Sequence, residues 1–392
     1  MRAGDRLVPV QPVADGEQAG MCFVAPEVTG FGFREVELVE HASPGKSAPV
    51  VKSSETLLES PFYRVVPDAK TGGIASLVHL ASGKELIALG QKRTLCQTVY
   101  FDGREHLLSN VQVQPLADGP VFGRLRISGT APGLSVENLV TVYAELDRVD
   151  FDVGVRKQPS GNEERLCHMF PLFGQEAVLR AAASGAVVRP RPQLVGDLLP
   201  GADSRRFAVQ EFIHVSLDDL AVTLVPHDAF VLRLDLDTLA FEALGSDQNH
   251  REVLHDQDGQ TQFRFRYSLQ ASAGGYRGAE TAAFARSAAT PLSWKAGHCR
   301  APDVTRARIE IDAARAIATC LRPADDPQAG GLVLRVWETA GRDGPLRIAV
   351  RGFGKAVATD LLERDQTPLP VRDGAVEVQL RPHGYAAVRL VP

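Results

Sequence analysis

The sequence has no long hydrophobic run, and none of its apolar stretches approaches the roughly 20 residues that a membrane-spanning helix needs. It also has no basic excess, because 43 Lys and Arg stand against 48 Asp and Glu for a formal net charge of -5. A protein that binds nucleic acid usually carries a basic patch or stripe. We therefore expect neither membrane nor nucleic-acid binding. The first residues also lack the apolar segment of a signal peptide.

Cysteine is scarce and scattered, and no CxxC motif or Cys/His cluster occurs among Cys22, Cys96, Cys167, Cys299 and Cys320. An odd number of isolated thiols is not the pattern of a disulfide framework or of a structural zinc site. We interpret them as thiols of a reducing compartment and predict a cytoplasmic protein. The motifs GxSxG and GxGxxG and the phosphate-binding loop are absent too, so serine hydrolases and nucleotide-binding enzymes have no support.

Long helical periodicity is missing as well. Instead, short apolar runs rich in β-branched and aromatic residues follow one another, separated by 35 Gly and 25 Pro. Such runs predict strands, for example over 63–66, 139–143, 220–225 and 263–267. At about 8–12 residues per strand and turn, the chain would hold on the order of 30 strands. The alanine-rich stretch 278–289 is the best candidate for a helix.

Alternation along the strands also predicts which face of each sheet is buried. Val140, Val142 and Phe265 should face the core, whereas Arg264 and Arg266 should lie on the opposite face from Phe265. We therefore expect the large region to consist of two facing sheets.

Composition divides the chain into three parts. Residues 1–54 are predicted to form a short β module that ends in a polar linker. Residues 55–294 form a large β region, and residues 295–392 form a smaller β-sandwich. No internal repeat is visible.

Histidines and carboxylates are numerous, but they form no recognisable constellation. His250 and His255 lie five apart in a polar loop, a spacing that matches neither common zinc template, so we predict no metal site. Glycoside hydrolysis needs two carboxylates about 5–10 Å apart. No residue stands above the others among the candidates Asp102, Asp152, Asp247 and Glu338. We interpret His214 and Trp337, each within an apolar strand, as packed residues.

The order of several short motifs carries more information than any one of them. They are residues 61–68 (PFYRVVPD), 71–77 (TGGIASL), 166–173 (LCHMFPLF), 222–229 (VTLVPHDA) and 334–338 (LRVWE). In this order they resemble the C-terminal β region of family 38 glycoside hydrolases, the retaining α-mannosidases. The resemblance implies an all-β fold, a galactose-mutarotase-like supersandwich with small flanking β-sandwich modules.

In that family the chemistry belongs to an N-terminal α/β domain. That domain carries the nucleophilic aspartate, the acid/base carboxylate and a zinc ion held by His and Asp. Nothing in residues 1–54 matches it. The resemblance therefore transfers no catalytic residue, metal ligand or cofactor to this chain, and zinc is expected only in the catalytic domain. We expect the isolated chain not to hydrolyse α-mannosides.

The resemblance does indicate a substrate-binding loop, because the family's C-terminal region sends an arginine toward the mannosidase cleft. Arg251 lies in the corresponding place and is the best candidate, with His250 and Asn249 as alternatives. We expect any sugar contact to centre on the loop from Ser246 to Gly259, since long loops on β scaffolds are disproportionately functional.

Three functions remain open. The chain is either the C-terminal β portion of an α-mannosidase-like enzyme, truncated or split, or a free-standing module that binds carbohydrate without cleaving it. A mutarotase-like isomerase would need a histidine and a carboxylate in one cleft, and the sequence identifies no such pair. The first hypothesis predicts an unusually apolar surface on residues 1–54 and the large β region, and hence self-association or binding of a separately encoded α/β half.

Overall fold

The structure is a computed structural model of the 392-residue chain. It describes residues 2–392 except 4–5, 16–17, 27, 29–30, 33–34, 38, 40–49, 89, 91, 173, 175, 184, 193–197, 199, 236–237, 249–251, 254–256, 291, 294, 296 and 298–308. The described residues form 34 strands and one helix, which confirms the predicted all-β fold class. The helix within this part of the chain is not long and apolar enough to cross a membrane.

The chain divides into two compact units. The larger unit contains Pro9–Val24 and His41–Tyr276, and the smaller unit contains Met1–Val8, Ala25–Glu40 and Arg277–Pro392. The three domains expected from composition, with boundaries after residues 54 and 294, stay a prediction.

Three main sheets build the larger unit. The nine-stranded sheet has the order Ser109–Ala117, Phe122–Ala131, Leu134–Tyr143, Val149–Lys157, Gln262–Ala273, Leu220–Pro226, Ile213–Leu217, Val178–Ala183 and Ala186–Arg191. The six-stranded sheet has the order Glu105–Leu107, Gln97–Phe101, Arg165–Phe170, Thr238–Gly245, Val231–Asp235 and Arg206–Ala208. The five-stranded sheet has the order Lys52–Ser54, Leu57–Glu59, Tyr63–Pro67, Ile74–His79 and Lys84–Glu85. Two short hairpins complete the unit: Gln11–Asp15 with Gln18–Cys22, and Asp247–Gln248 with Glu252–Val253.

One hydrophobic core joins these three sheets. Tyr267 of the nine-stranded sheet packs against Phe170 and Phe241 of the six-stranded sheet, with ring centroids 4.9 and 5.5 Å apart. From the five-stranded sheet, Tyr63 accepts a hydrogen bond of 2.8 Å at its hydroxyl from the backbone N–H of Ala271. Each such aromatic, fully removed from water, contributes about 1.5–3 kcal/mol through burial. The two large sheets therefore face each other as the layers of a β-supersandwich.

The faces of the strands are those that alternation predicts. The buried positions include Val140, Val142 and Phe265. Arg264 and Arg266 lie on the opposite face, where they pair with Asp152 and Asp228. The alternation of apolar and polar residues was sufficient to predict the buried face, because one face of each of these strands packs into the core.

The smaller unit is a second β-sandwich with its own core. Its three-stranded sheet has the order Ile309–Ile311, Gly344–Val350 and Ala375–Leu380. Its five-stranded sheet has the order Ala316–Pro323, Leu332–Glu338, Tyr385–Val391, Lys355–Thr359 and Asp365–Leu369. A two-stranded ribbon, Arg2–Ala3 with Arg6–Leu7, also belongs to it.

The helix predicted over 278–289 is confirmed and spans Gly278–Ala289 in the smaller unit. Its buried positions include Ala279, Ala282 and Ala285, which recur every three residues and therefore lie on one face. Glu280 occupies the first turn and Arg286 the last, the arrangement that the helix dipole favours.

Candidate functional site

A polar cleft lies at one end of the six-stranded sheet. It has a volume of about 450 Å³ and is lined by residues 101–104 and residues 162–165. The strands Gln97–Phe101 and Arg165–Phe170 pair antiparallel, with Phe101 opposite Arg165. The turn that follows the first strand and the segment that precedes the second therefore meet at the same end of the sheet.

Glu164, one of the residues that line the cleft, belongs to a buried ion pair. Lys157 Nζ lies 2.5 Å from Glu164 Oε2, and both side chains are less than a tenth exposed. The same ammonium group donates to the carbonyl of Gln158 at 3.0 Å and to Gln257 Oε1 at 2.8 Å. These three contacts use every donor that a lysine has, so the buried charge is fully satisfied.

Tyr100 connects the ion pair to one wall of the cleft. Its hydroxyl donates to Glu164 Oε1, and its ring stacks on the imidazole of His106 with centroids 5.8 Å apart. Burial, together with the carboxylate of Glu164, raises the pKa of Tyr100 well above its usual value. The phenol therefore stays a proton donor at any physiological pH.

Asp102, which lines this wall, forms a histidine–carboxylate pair with His106. His106 Nε2 lies 2.6 Å from Asp102 Oδ1, and both side chains are largely buried. Gly103, with φ of +97°, allows the chain to turn between them. This pair was missed when the sequence was searched for a histidine and a carboxylate in one cleft. The dipeptide Asp102-Gly103 between two strands, a hairpin signal, could have revealed it.

The loop predicted to contact sugar starts and ends at this ion pair. Ser246 Oγ accepts a hydrogen bond of 2.7 Å from the backbone N–H of Glu164, and the N–H of Ser246 donates to the carbonyl of Glu164 at 3.0 Å. Near the other end, Gln257 binds Lys157. The backbone of Glu164 and the side chain of Lys157 thus hold the two ends of the segment from 246 to 257.

Within this segment, Asp247–Gln248 pairs with Glu252–Val253 as a short antiparallel hairpin. The predicted substrate-binding residues Asn249, His250 and Arg251 lie outside the described residues. Their role in sugar binding stays a prediction.

Two of the other carboxylates that the sequence offered, Asp152 and Glu338, have structural partners, whereas the side chain of Asp247 lies outside the described part of the structure. Asp152 accepts hydrogen bonds from Arg264 on the outer face of the nine-stranded sheet, including one of 2.7 Å from Nε. Glu338 is completely buried in the smaller unit, where the N–H groups of Gly341 and His383 donate to it at 2.8 and 2.9 Å. Both carboxylates already accept hydrogen bonds within the protein, so neither geometry indicates a substrate-binding role.

The two residues interpreted as packed are indeed buried. His214 is 1% exposed and lies against Tyr276, with ring centroids 5.0 Å apart. Trp337 is 2% exposed, donates to the carbonyl of His383 at 3.2 Å and stacks on Tyr385. Trp337 is therefore a core residue of the smaller sandwich and not a sugar platform.

A resident metal finds no ligand set in the part of the chain that the structure describes. No group of three or more His, Cys, Asp or Glu side chains converges there. The family resemblance places zinc only in the α/β catalytic domain, and this expectation stays a prediction.

The fold and the cleft define an all-β protein of two sandwich units with a polar site at the edge of one sheet. Residues 316–383, within the smaller unit, match the family model of the glycosyl hydrolases family 38 C-terminal beta sandwich domain. The resemblance to the C-terminal β region of family 38 glycoside hydrolases is thereby confirmed. No curated protein matches the chain.

Two solved structures share the fold over nearly the whole chain. A protein in glycosyl hydrolase family 38 from Enterococcus faecalis has a TM-score of 0.71 at 15% identity, covering 98% of this chain and 50% of its own. An alpha-mannosidase from Enterococcus faecalis V583 has a TM-score of 0.71 at 13% identity, covering 99% and 49%. The chain therefore spans about half the length of these proteins.

Proposed function

We propose that this chain is the C-terminal β portion of an α-mannosidase-like glycoside hydrolase, which supports the hydrolysis of α-mannosides by an α/β domain of the same family. The match of residues 316–383 to the family 38 sandwich domain carries this proposal. The α/β half supplies the catalytic carboxylates and the zinc ion. This chain supplies a scaffold and the loop from Ser246 to Gly259, with Arg251 as its principal sugar contact.

The anchoring of the loop supports this assignment. A residue that must reach into another domain's cleft needs fixed ends, because a misplacement of about 1 Å can cost on the order of 100-fold in rate. The backbone of Glu164 holds one end at Ser246, and the side chain of Lys157 holds the other near Gln257. Arginine suits the tip, since its planar fork can donate two hydrogen bonds to neighbouring hydroxyls.

Binding to the α/β half would bury apolar side chains that the larger unit exposes, among them Met21, Val50, Leu107 and Phe230. We propose a cytoplasmic location, since all four cysteines that the structure describes are unpaired.

The test mixes the full chain with a separately produced α/β half and follows aryl α-mannoside hydrolysis with zinc present. We expect no turnover by the chain alone and turnover by the pair. Arg251→Ala should lower kcat/KM roughly 10- to 150-fold, the worth of one charge-assisted hydrogen bond. Arg264→Ala, an exposed arginine on the nine-stranded sheet, is the matched control and should leave kcat/KM unchanged. Zinc-dependent turnover by the chain alone would contradict the proposal.

A free-standing carbohydrate-binding module is the second candidate, and the cleft at residues 101–104 and 162–165 favours it. In that case the chain should bind a mannoside by itself and show no affinity for the α/β half. A pull-down against that half, together with a sugar titration, separates the two functions.

A further inference from the structure

We propose that the cleft between residues 101–104 and residues 162–165 binds a neutral pyranose ring, with Asp102 and Arg104 as its main contacts. The sugar class rests on the proposed function, whereas the site itself rests on the geometry of the cleft. It would be a second sugar contact, separate from Arg251 and made by residues that no resemblance assigns.

The side chains around the opening of the cleft are polar, and the described residues leave several of their groups without a partner. Asp102 uses Oδ1 for His106 and leaves Oδ2 without a partner among the described residues. The side chains of Arg104, Asn162 and Glu163 are exposed, and the described residues give them no hydrogen bond or ion pair. These four side chains therefore offer both donors and acceptors to a ligand.

Two exposed arginines of the same unit are paired with carboxylates. Arg264 and Arg266 each form two side-chain hydrogen bonds with one carboxylate, Asp152 and Asp228 respectively. Arg104 has no such partner among the described residues, and Asp102, two residues away, uses Oδ1 for His106. The cleft thus keeps a guanidinium and a carboxylate oxygen available to a ligand.

The balance of charge indicates a neutral ligand. Asp102 and Glu163 carry two negative charges, and Arg104 and Arg165 carry two positive charges. The remaining carboxylate, Glu164, is neutralised by Lys157 beneath it. An anion would be repelled by the carboxylates, and a cation would be repelled by the guanidinium groups. A hydroxyl group can accept a hydrogen bond from a guanidinium and donate one to a carboxylate.

The size and rigidity of the cleft suit a small sugar. Its volume of about 450 Å³ falls within the range of small-molecule sites. One wall is stiffened by Arg165, whose guanidinium lies 4.6 Å from the centroid of the Phe101 ring. The floor is fixed by the hydrogen bond from Tyr100 to Glu164. Preorganised walls reduce the entropy lost on binding, which favours a weakly held ligand such as a monosaccharide.

The test is a calorimetric titration of methyl α-mannopyranoside into the full chain and four variants. Arg104→Ala and Asp102→Ala should each weaken binding at least about tenfold, the loss of one charge-assisted hydrogen bond. Arg264→Ala should bind like wild type. Arg104 is exposed and has no side-chain partner among the described residues, so Arg104→Ala should keep the fold even if Asp102→Ala disturbs it.

Arg251→Ala separates this site from the loop. Wild-type affinity in Arg251→Ala with loss in Arg104→Ala supports the cleft. The reverse result overturns the cleft and leaves the proposed function standing. No binding by wild type at millimolar sugar, or tighter binding of glucuronate or glucosamine than of the neutral mannoside, also overturns it. The proposed function then depends on the hydrolysis assay alone.

Discussion

Lys157 Nζ and Glu164 Oε2 lie 2.5 Å apart, and side-chain exposures of 5% and 7% remove both charges almost completely from water. The pair joins the end of the strand Val149–Lys157 in the nine-stranded sheet to the segment that enters the six-stranded sheet. A buried pair is costly to break, because removal of one partner leaves the other charge unpaired in the interior.

We expect Lys157→Met to destabilise the larger unit by about 3–5 kcal/mol, the usual cost of an orphaned buried charge. The double variant Lys157→Met/Glu164→Gln should lose less, since it leaves no charge behind. Urea denaturation followed by circular dichroism measures both. Lys84→Met, which removes an exposed pair with Asp219, is the control and should change little. A double variant less stable than the single one would contradict this view of the pair.

Two buried histidines should make the larger unit sensitive to acid. Burial lowers the pKa of His168 to about 3, and burial, followed by the charge of Arg180, lowers the pKa of His214 to about 3. Below about pH 6.5 each of these histidines binds a proton in the unfolded chain but stays neutral in the folded chain. Stability is therefore complete above that pH and falls from pH 7 to pH 5, by about 2 kcal/mol per histidine.

The variant His214→Phe isolates one of these contributions. It keeps a ring against Tyr276 and removes two buried ring nitrogens that have no hydrogen-bond partner among the described residues. We expect denaturation at pH 5 and pH 7 to differ less in this variant than in wild type. His383→Asn, at an exposed residue with φ of +56°, should keep the wild-type difference, because asparagine tolerates that backbone. An unchanged difference in His214→Phe would exclude His214 as a source of acid sensitivity.

Neighbouring glycines in the smaller unit should respond differently to the same substitution. Gly330 and Gly331 both have positive φ, +62° and +85°, so alanine is strained at either position. A Cβ at Gly331 would also collide with the carbonyl oxygen of Leu390, whereas a Cβ at Gly330 would meet nothing within 4 Å. We expect Gly330→Ala to cost about 1–2 kcal/mol. Gly331→Ala should cost about 1–3 kcal/mol more, for the backbone shift that the collision forces. Equal thermal shifts for the two variants would show that the chain relieves the collision freely.

Glu338 should protect the smaller unit only above acidic pH. Burial alone would raise its pKa, but N–H groups that include those of His383, Gly341 and Ala340 hold the pKa below the usual value. The contribution of Glu338 to stability is therefore present above about pH 4.3, and it is lost as the pH falls through the lowered pKa of the folded state. Glu338→Gln should lower the free energy of unfolding by about 1.5–3 kcal/mol at pH 7, because its amide group cannot accept from all these donors. Glu310→Gln, at a half-exposed pair with Arg351, is the control in the same unit.

The fold was largely predictable, because it depends on local pattern. The alternation around Phe265 predicts the buried face of one strand, and the alanine-rich stretch 278–289 predicts the buried face of one helix. In both cases all the residues that form the pattern lie within a single element. The candidate cleft was not predictable in this way. Tyr100 and Glu164 are 64 residues apart, and Lys157 and Gln257 are 100 apart. Only the pairing of strands brings them together, and spacing in the sequence carries no trace of it.

The order in which the two units use the chain bears on how the protein forms during translation. The smaller unit takes Met1–Val8 and Ala25–Glu40 from before the larger unit and Arg277–Pro392 from after it, whereas the larger unit is complete at Tyr276. At about 5–20 residues per second, residue 277 is synthesised roughly 10–50 s after residue 40. The larger unit can fold in that interval. The segments 1–8 and 25–40 therefore lack their partners until the larger unit has been synthesised.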